Sequence, residues 1–363
     1  MIPIAKPLIG QEEIDGVMGV MKSGVIAEGP KVKEFEDSFK KYIGVDHAIA
    51  VNSGTAALHV ALLAKGIGKG DEVITTPFTF IATANSVLFT GAKPVFADIE
   101  AETFNIDPED VEKKITKNTK AIIPVDLYGH PANMRAIMDI AGDYGLAVIE
   151  DACQAHGSIY QGKKIGAFDA GCFSFYPTKN MTTSEGGIIT TNDRKFADTA
   201  RMIKSHGSKV RYYHEMLGFN LRMTDISAAI GLAQLKKVDG YNDARIGNSI
   251  MLNKLLSGIP GIVTPVTKPD CKHVFHQYTI RVTDEAKLTR DELIVELNKA
   301  GIGNSIYYPL PVHQQPYYKE IGYAETHPIS EKMSKEVLSL PVHPSVTKDE
   351  IQFIADMFKE VLT

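Results

Sequence analysis

The segment "CFSFYPTKNMTTSEGG", residues 172–187, runs an apolar alternation into Pro177 and then sets one lysine, Lys179, among small hydroxyl residues closed by Gly186 and Gly187. An amine at such a place is either a solvated surface charge or, where burial lowers its pKa, a nucleophile that forms a Schiff base with a carbonyl. The surroundings favour the second use, because the loop is polar, tightly turned and fed directly by an apolar strand. A Schiff-base lysine serves an aldolase as well as a cofactor-dependent enzyme. A cradle for a phosphate and a carboxylate for a ring nitrogen would decide between them.

Both are present. "VNSGTAALHVALLA" (51–64) reads as the end of a strand, then Ser53-Gly54-Thr55, then a helix that is apolar nearly all round. The unpaired amides of that helix start, the positive end of its dipole and two hydroxyls would seat a dianion. An ordinary N-cap by Ser53 or Thr55 accounts for the same residues. "AVIEDACQAHG" (147–157) delivers Glu150 and Asp151 at the C-terminal end of an apolar strand, where open α/β sheets bind ligands. Consecutive strand residues face opposite sides, so one of the two faces the ligand. A carboxylate there pairs with a protonated pyridine nitrogen and keeps pyridoxal phosphate an electron sink, or it caps the next element.

The elements that must position these groups follow from hydrophobic patterning. Seven short apolar runs, at 47–53, 71–76, 93–99, 119–127, 145–152, 171–177 and 186–191, predict strands. Several are almost continuously apolar, which is the mark of a parallel sheet covered by helices on both faces. "NIDPEDVEKKI" starts a surface helix with Asp107 as N-cap and Pro108 at its first position. A long helical stretch over 224–258 stops at Gly258 and Pro260, and shorter units with new strands such as "HQYTIRV" follow. The fold class is therefore α/β, with a large domain over 1–240 and a small C-terminal domain over 241–363.

Taken together, "NSGTAALHVAL", "TFIATANSVLFTGAKPVFADI", "IEDACQAHG", "FSFYPTKN" with "SEGG", and "GFNLRMTDISAAIGLAQL" resemble the DegT/DnrJ/EryC1/StrS family of sugar-nucleotide aminotransferases, in the pyridoxal phosphate fold-type I superfamily. The resemblance extends from about Ile2 to the C-terminus. It implies an αβα large domain with a mostly parallel seven-stranded sheet and a small C-terminal α/β domain. It also implies pyridoxal 5'-phosphate as cofactor, with Lys179 as the residue that carries it and Asp151 facing its pyridine nitrogen. Gln154 matches the side chain near the ring hydroxyl, and Ser174 a phosphate ligand alongside Gly54 and Thr55. Phe80 stands at the position of a stacking aromatic, which is often tryptophan, and this chain has no tryptophan. Asn220 matches an asparagine that reaches the phosphate of the other subunit, implying a homodimer with shared active sites. Ser184 replaces a usual glycine, at a position where a positive φ is expected.

The implied reaction is amino transfer from L-glutamate to a nucleotide-linked keto sugar, as in amino sugar and polysaccharide biosynthesis. The opening stretch "IPIAKPLIGQEEIDGVMGVMKSGVIAEGP" looks more like the branch acting at sugar C4 on 4-keto-6-deoxy sugars than the 3-keto branch, and a cyclitol ketone (inosose) stays open. Relatives that use histidine in place of the lysine dehydrate sugars, and a cofactor-binding sensor would lack the lysine or the carboxylate; Lys179 and Asp151 stand against both. In "SIYYPLPVHQQPYY" (305–318), Tyr308 and His313 are substrate candidates by the same resemblance, against packing of a domain interface.

Composition narrows the partners. A net charge of -5 over 363 residues, with no basic block, argues against nucleic acid. Three cysteines without a C-x-x-C pair suit a reducing compartment, and the cytoplasm is expected. Prolines 3 and 7 break any signal helix, and no apolar run has the roughly 18 residues of a membrane span. "GIGKGD" (66–71) lacks the last glycine and the following helix of a dinucleotide loop. His273 and His276, placed in a strand, would point to opposite faces and make a poor zinc pair, and Cys153 with His156 lacks further ligands nearby. Asn180-Met181-Thr182 fits a glycosylation pattern but overlaps the lysine loop.

Overall fold

The computed structural model describes residues 1–362. All seven apolar runs are strands of one sheet: β1 (His47–Val51), β2 (Glu72–Thr75), β3 (Lys93–Phe96), β4 (Thr119–Ile123), β5 (Ala147–Asp151), β6 (Ala170–Ser174) and β7 (Gly187–Thr191). Their spatial order is β1-β7-β6-β5-β4-β2-β3. Only β7 runs against its neighbours, pairing antiparallel with both β1 and β6. The other pairings within the sheet are parallel.

Strand alternation splits the apolar side chains between two faces. Ala50, Phe173 and Ile188 join one core with Phe35 and Phe39 of α2 (Pro30–Ile43) and Ile137 of α6 (Met134–Tyr144). Ile49, Cys172 and Ile189, each one residue removed, join the opposite core with Leu58 and Ala61 of α3 (Gly54–Ala64) and Phe196 of α7 (Arg194–Lys204). Phe39 packs edge-on against Phe173 and Phe175 at ring-centroid distances of 5.1 and 5.5 Å, and truncating such a ring to alanine costs about 3–5 kcal/mol.

Around this sheet lie α1 (Gln11–Ser23), α4 (Ala82–Phe89) and α5 (Pro108–Lys114), the last capped by the Asp107 side chain as its sequence predicts. The helical stretch predicted over 224–258 is two helices, α8 (Asp225–Leu235) and α9 (Val238–Leu256). They part where the Lys237 ammonium reaches Glu12 and Glu13 of α1, at 2.8 and 2.9 Å. Asp225, at the start of α8, accepts from the backbone N–H groups of Gly29, Lys31 and Val32 and so caps α2 from afar.

Beyond α9 come the antiparallel strands β8 (Ile262–Val263), β9 (Tyr278–Val282) and β10 (Val337–Leu340). Helices α10 (Arg290–Lys299), α11 (Pro316–Glu320), α12 (Pro328–Glu336) and α13 (Lys348–Leu362) complete the C-terminal part. Leu252 and Leu256 of α9, Leu297, Leu340 and Phe358 share a third core with Ile2. The N-terminus is clasped there, its Ile2 N–H donating to Gly301 O at 2.8 Å and its carbonyl accepting from Gly303 at 2.7 Å. His273 and His276 precede β9 instead of lying within it, so the expected opposite-face geometry does not apply: His273 stacks on Phe275. Among the described residues no helix is long and apolar enough to cross a membrane.

Candidate active site

The C-terminal ends of the parallel strands open into a cavity of about 610 Å³. Lys179, Asp151, Gly54, Thr55, Phe80, Gln154, Ser174 and Tyr308 all line it, although they come from five separate stretches of chain.

Asp151 ends β5 and is 5% exposed. Its Oδ2 accepts from Thr83 Oγ1 at 2.7 Å and its Oδ1 from the Cys153 N–H at 3.3 Å. Thr83 Oγ1 also lies 3.0 Å from Thr79 Oγ1. The preceding Glu150 faces away, accepting from the N–H groups of Gly166 and Phe168 at 2.7 and 2.8 Å. Burial pushes its carboxyl up to about 7 against those hydrogen bonds. Strand alternation thus resolves the pair: Asp151 belongs to the cavity and Glu150 to the framework.

Lys179 sits on the connection from β6 to β7. The ends of this loop are pinned by Phe175 N–H to Gly186 O at 2.9 Å and Thr183 N–H to Phe175 O at 3.0 Å, with Thr182 Oγ1 donating to the same Phe175 carbonyl at 2.8 Å. Ser184 completes the turn at φ 70°, the left-handed conformation that favours glycine. Burial pulls the Lys179 ammonium below its ordinary pKa, opposed by the neighbouring Cys153 and Asp151 side chains. A larger share of neutral amine follows, which is what a nucleophile or general base requires.

The β1–α3 junction forms the other wall. Ser53 is the N-cap of α3, accepting from the Ala56 N–H at 3.1 Å. The first turn of α3 contains no acidic side chain to occupy its dipole. Ser174, at the end of β6, stands so close that a Cβ built on Gly54 would be 2.6 Å from Ser174 Cβ and 3.0 Å from Cys153 Sγ. Gly54 therefore keeps backbone N–H groups, the Thr55 hydroxyl and the Ser174 hydroxyl within reach of one anion. This donor set fits a phosphate, and the carboxylate of Asp151 across the cavity fits a protonated ring nitrogen.

Gln154 bridges the two parts of the molecule: its Oε1 accepts from the Tyr128 N–H at 2.8 Å and its Nε2 donates to the Tyr308 hydroxyl at 3.1 Å. Phe80 is 57% exposed at the cavity, its ring 6.3 Å from that of Tyr308. Two predicted residues are not brought there. His313 is 2% exposed and packs outside the cavity, its Nε2 3.1 Å from Glu331 and its ring 4.7 Å from His327. Asn220 is exposed, away from the cavity of its own chain, and its backbone pairs with Ser205. Sequence reasoning missed Thr83, Tyr307 and His276; the second threonine of "TFIATAN" gives no sign of its carboxylate partner, which lies 68 positions away.

A model of the DegT/DnrJ/EryC1/StrS aminotransferase family matches residues 7–359. The spore coat polysaccharide biosynthesis protein SpsC of Bacillus subtilis is 42% identical, over 99% of this chain and 97% of that protein. Among solved structures, S. venezuelae DesV in complex with a ketimine intermediate superposes with a TM-score of 0.93 at 39% identity, covering 96% of this chain and 94% of that one. A PLP form of Spr1654 from Streptococcus pneumoniae superposes with a TM-score of 0.93 at 29% identity over the whole of both chains.

Proposed function

The chain belongs to the DegT/DnrJ/EryC1/StrS aminotransferase family, and from that membership and the cavity we propose that it aminates a nucleotide-linked keto sugar, with L-glutamate as donor and a 4-keto-6-deoxy sugar as acceptor. It is a pyridoxal-phosphate-dependent aminotransferase. The observation that carries the site assignment is the convergence of Lys179, Asp151 and the Gly54–Ser174 cradle on one cavity.

When bound, pyridoxal phosphate supplies an aldehyde for covalent capture of amines and a pyridinium ring that withdraws electrons from the carbon beside them. Lys179 Nζ would hold the cofactor between turnovers and, once released, would take the proton from the donor's α-carbon as general base and deliver it to the cofactor as general acid. Burial lowers its pKa from the ordinary lysine value, which favours that exchange. Asp151 keeps the ring nitrogen protonated by a charge-assisted hydrogen bond, and Thr83 aims the carboxylate. The N-terminus of α3, Thr55 and Ser174 bind the phosphate. Gln154 orients the ring hydroxyl, with Tyr308 closing the cavity beside it. Phe80 offers a π face at the mouth.

The sugar assignment is supported by the polysaccharide role in the name of SpsC and by the aminotransferase PseC of Helicobacter pylori, described as acting in pseudoaminic acid biosynthesis, at 30% identity and a TM-score of 0.93. We place the enzyme in the cytoplasm as a homodimer in which Asn220 reaches the partner's phosphate. Exposed apolar side chains on α1, Ile14, Met18 and Met21, and Tyr212, Tyr213 and Leu217 ahead of Asn220, support such an interface. Residues 1–240 then form the cofactor domain and 241–363 the small domain.

Borohydride reduction of the reconstituted enzyme followed by peptide mapping is expected to tag Lys179. Glutamate is expected to bleach the visible band, and a panel of nucleotide-linked 3-keto and 4-keto sugars to restore it, with NMR locating the new amine. A tag elsewhere removes the site assignment, and restoration by none of the sugars removes the substrate assignment.

A further inference from the structure

Beside the lysine loop lies a buried polar chain that the mechanism does not use. Asn180 directly follows Lys179 and is 3% exposed. Its Nδ2 donates to Asn242 Oδ1 at 2.7 Å and to the Val274 carbonyl at 3.2 Å, and its Oδ1 lies 3.3 Å from His276 Nδ1. Asn242, fully buried on α9, donates in turn to the His156 carbonyl at 2.7 Å. Gly157 makes room for it: a Cβ there would stand 2.8 Å from Asn242 Nδ2.

An amide inside a helix is a poor helix former, and burying it is unfavourable unless both of its ends are hydrogen-bonded. Asn242 satisfies both ends, one on the loop that follows β5 and one on the residue next to Lys179. Its donor and acceptor cannot be exchanged, because the His156 carbonyl only accepts and Asn180 already directs its amino group toward Asn242. The orientation of each amide therefore fixes that of the next. The same helix carries Leu252 and Leu256 into the C-terminal core, whose part of the molecule contributes Tyr307 and Tyr308 to the cavity.

We propose that Asn242 is a positioning residue for Lys179: through Asn180 it ties the loop that carries the amine to α9, and so to the part of the molecule that supplies Tyr307 and Tyr308 to the same cavity. The inference rests on Lys179 being the residue that carries the cofactor. It implies that the placement of the amine depends on the N-terminal part of α9, whose Asn242 does not line the cavity.

The test uses holoenzyme reconstituted with pyridoxal phosphate and follows its visible band against pH. Asn242→Ala is expected to move the midpoint of that titration by about half a pH unit or more. It should also slow glutamate-driven bleaching by about tenfold, with the glutamate KM changed less than about threefold. Leu252→Ala, on the same helix but in the C-terminal core, should lose stability and leave the midpoint in place. If Asn242→Ala does not fold, Asn242→Ser retains an acceptor for Asn180 and is expected to shift the midpoint in the same direction by less. A midpoint unmoved by either Asn242 variant, or moved as far by Leu252→Ala, overturns the proposal. Borohydride mapping of the wild type separates that result from a failure of the Lys179 assignment itself.

Discussion

Thr83 Oγ1 lies 2.7 Å from Asp151 Oδ2, so the first turn of α4 holds the carboxylate that ends β5. Thr79, 3.0 Å from the same hydroxyl, completes a short relay of side chains. The carboxylate is thereby aimed before any ring nitrogen arrives.

Removing that aim while keeping the shape should separate orientation from charge. Thr83→Val is expected to lower turnover by about tenfold, the range for an outer-shell partner, and to weaken cofactor binding measurably. Asp151→Asn is expected to lower kcat by about 10²–10³ or more, as for other preorganised charge partners. Steady-state kinetics with glutamate, together with a titration of the apoenzyme by pyridoxal phosphate, check both.

Gly54 sits at a close approach in the proposed phosphate cradle, where an added Cβ would press on Ser174 at 2.6 Å. Gly54→Ala must push β6 and α3 apart, at about 1–3 kcal/mol for such overpacking. Cofactor affinity is expected to fall by about tenfold or more through the displaced donors. Urea unfolding of the apoenzyme and a spectroscopic cofactor titration measure the two effects independently.

Glu150 gives the pH dependence a sign. Burial raises its pKa from 4.5 to about 7, so between these values the folded protein binds a proton that the unfolded chain has released. Its contribution to stability is therefore full below about pH 4.5, falls as pH rises through the window, and is lost above about pH 7. Glu150→Gln keeps one acceptor for Gly166 or Phe168 and has no such proton. The stability of the wild type relative to this variant is expected to fall across the window by on the order of 3 kcal/mol. Denaturant midpoints at several pH values show it, and parallel profiles would contradict it.

Ser184 carries the left-handed φ of 70° with its side chain exposed. Ser184→Gly should relieve about 1 kcal/mol without disturbing a packed neighbour, and Ser184→Val should destabilise by a similar amount or more. Thermal unfolding reads both. The visible band of the bound cofactor is expected to stay in place in the glycine variant.

The apolar runs were sufficient to locate all seven strands of the main sheet, because a strand buried on both faces leaves little room for polar residues. Local chemistry also marked Lys179, Gly54 and Asp151 as candidates, on the loop after β6, at the start of α3 and at the end of β5. Three features were not legible. Neither Glu150 nor Asp151 announces which way its strand faces, and only the pairing of β5 with its neighbours decides it. The break between α8 and α9 depends on Glu12 and Glu13, more than 200 positions earlier. Tyr308 and His313 share one short segment, yet the chain turns between them, and His313 finds Glu331 and His327 instead of the cavity. In each case a contact distant in sequence settles a choice that local pattern leaves free.

The antiparallel β7 also bears on the order of events during synthesis. β1 pairs with Gly187–Thr191, and its last residue bridges Arg222, both far downstream in the chain. While a ribosome is still adding the residues between, the stretch from His47 to Val51 leaves its tunnel with no ladder to join, and β-edges exposed in that interval are open to intermolecular association. The β2–β5 block can zip up from parallel neighbours already made, but the anion cradle at Gly54 must wait until the lysine hairpin has emerged. On the proposed assignment of that cradle, cofactor capture comes late in the maturation of each new polypeptide.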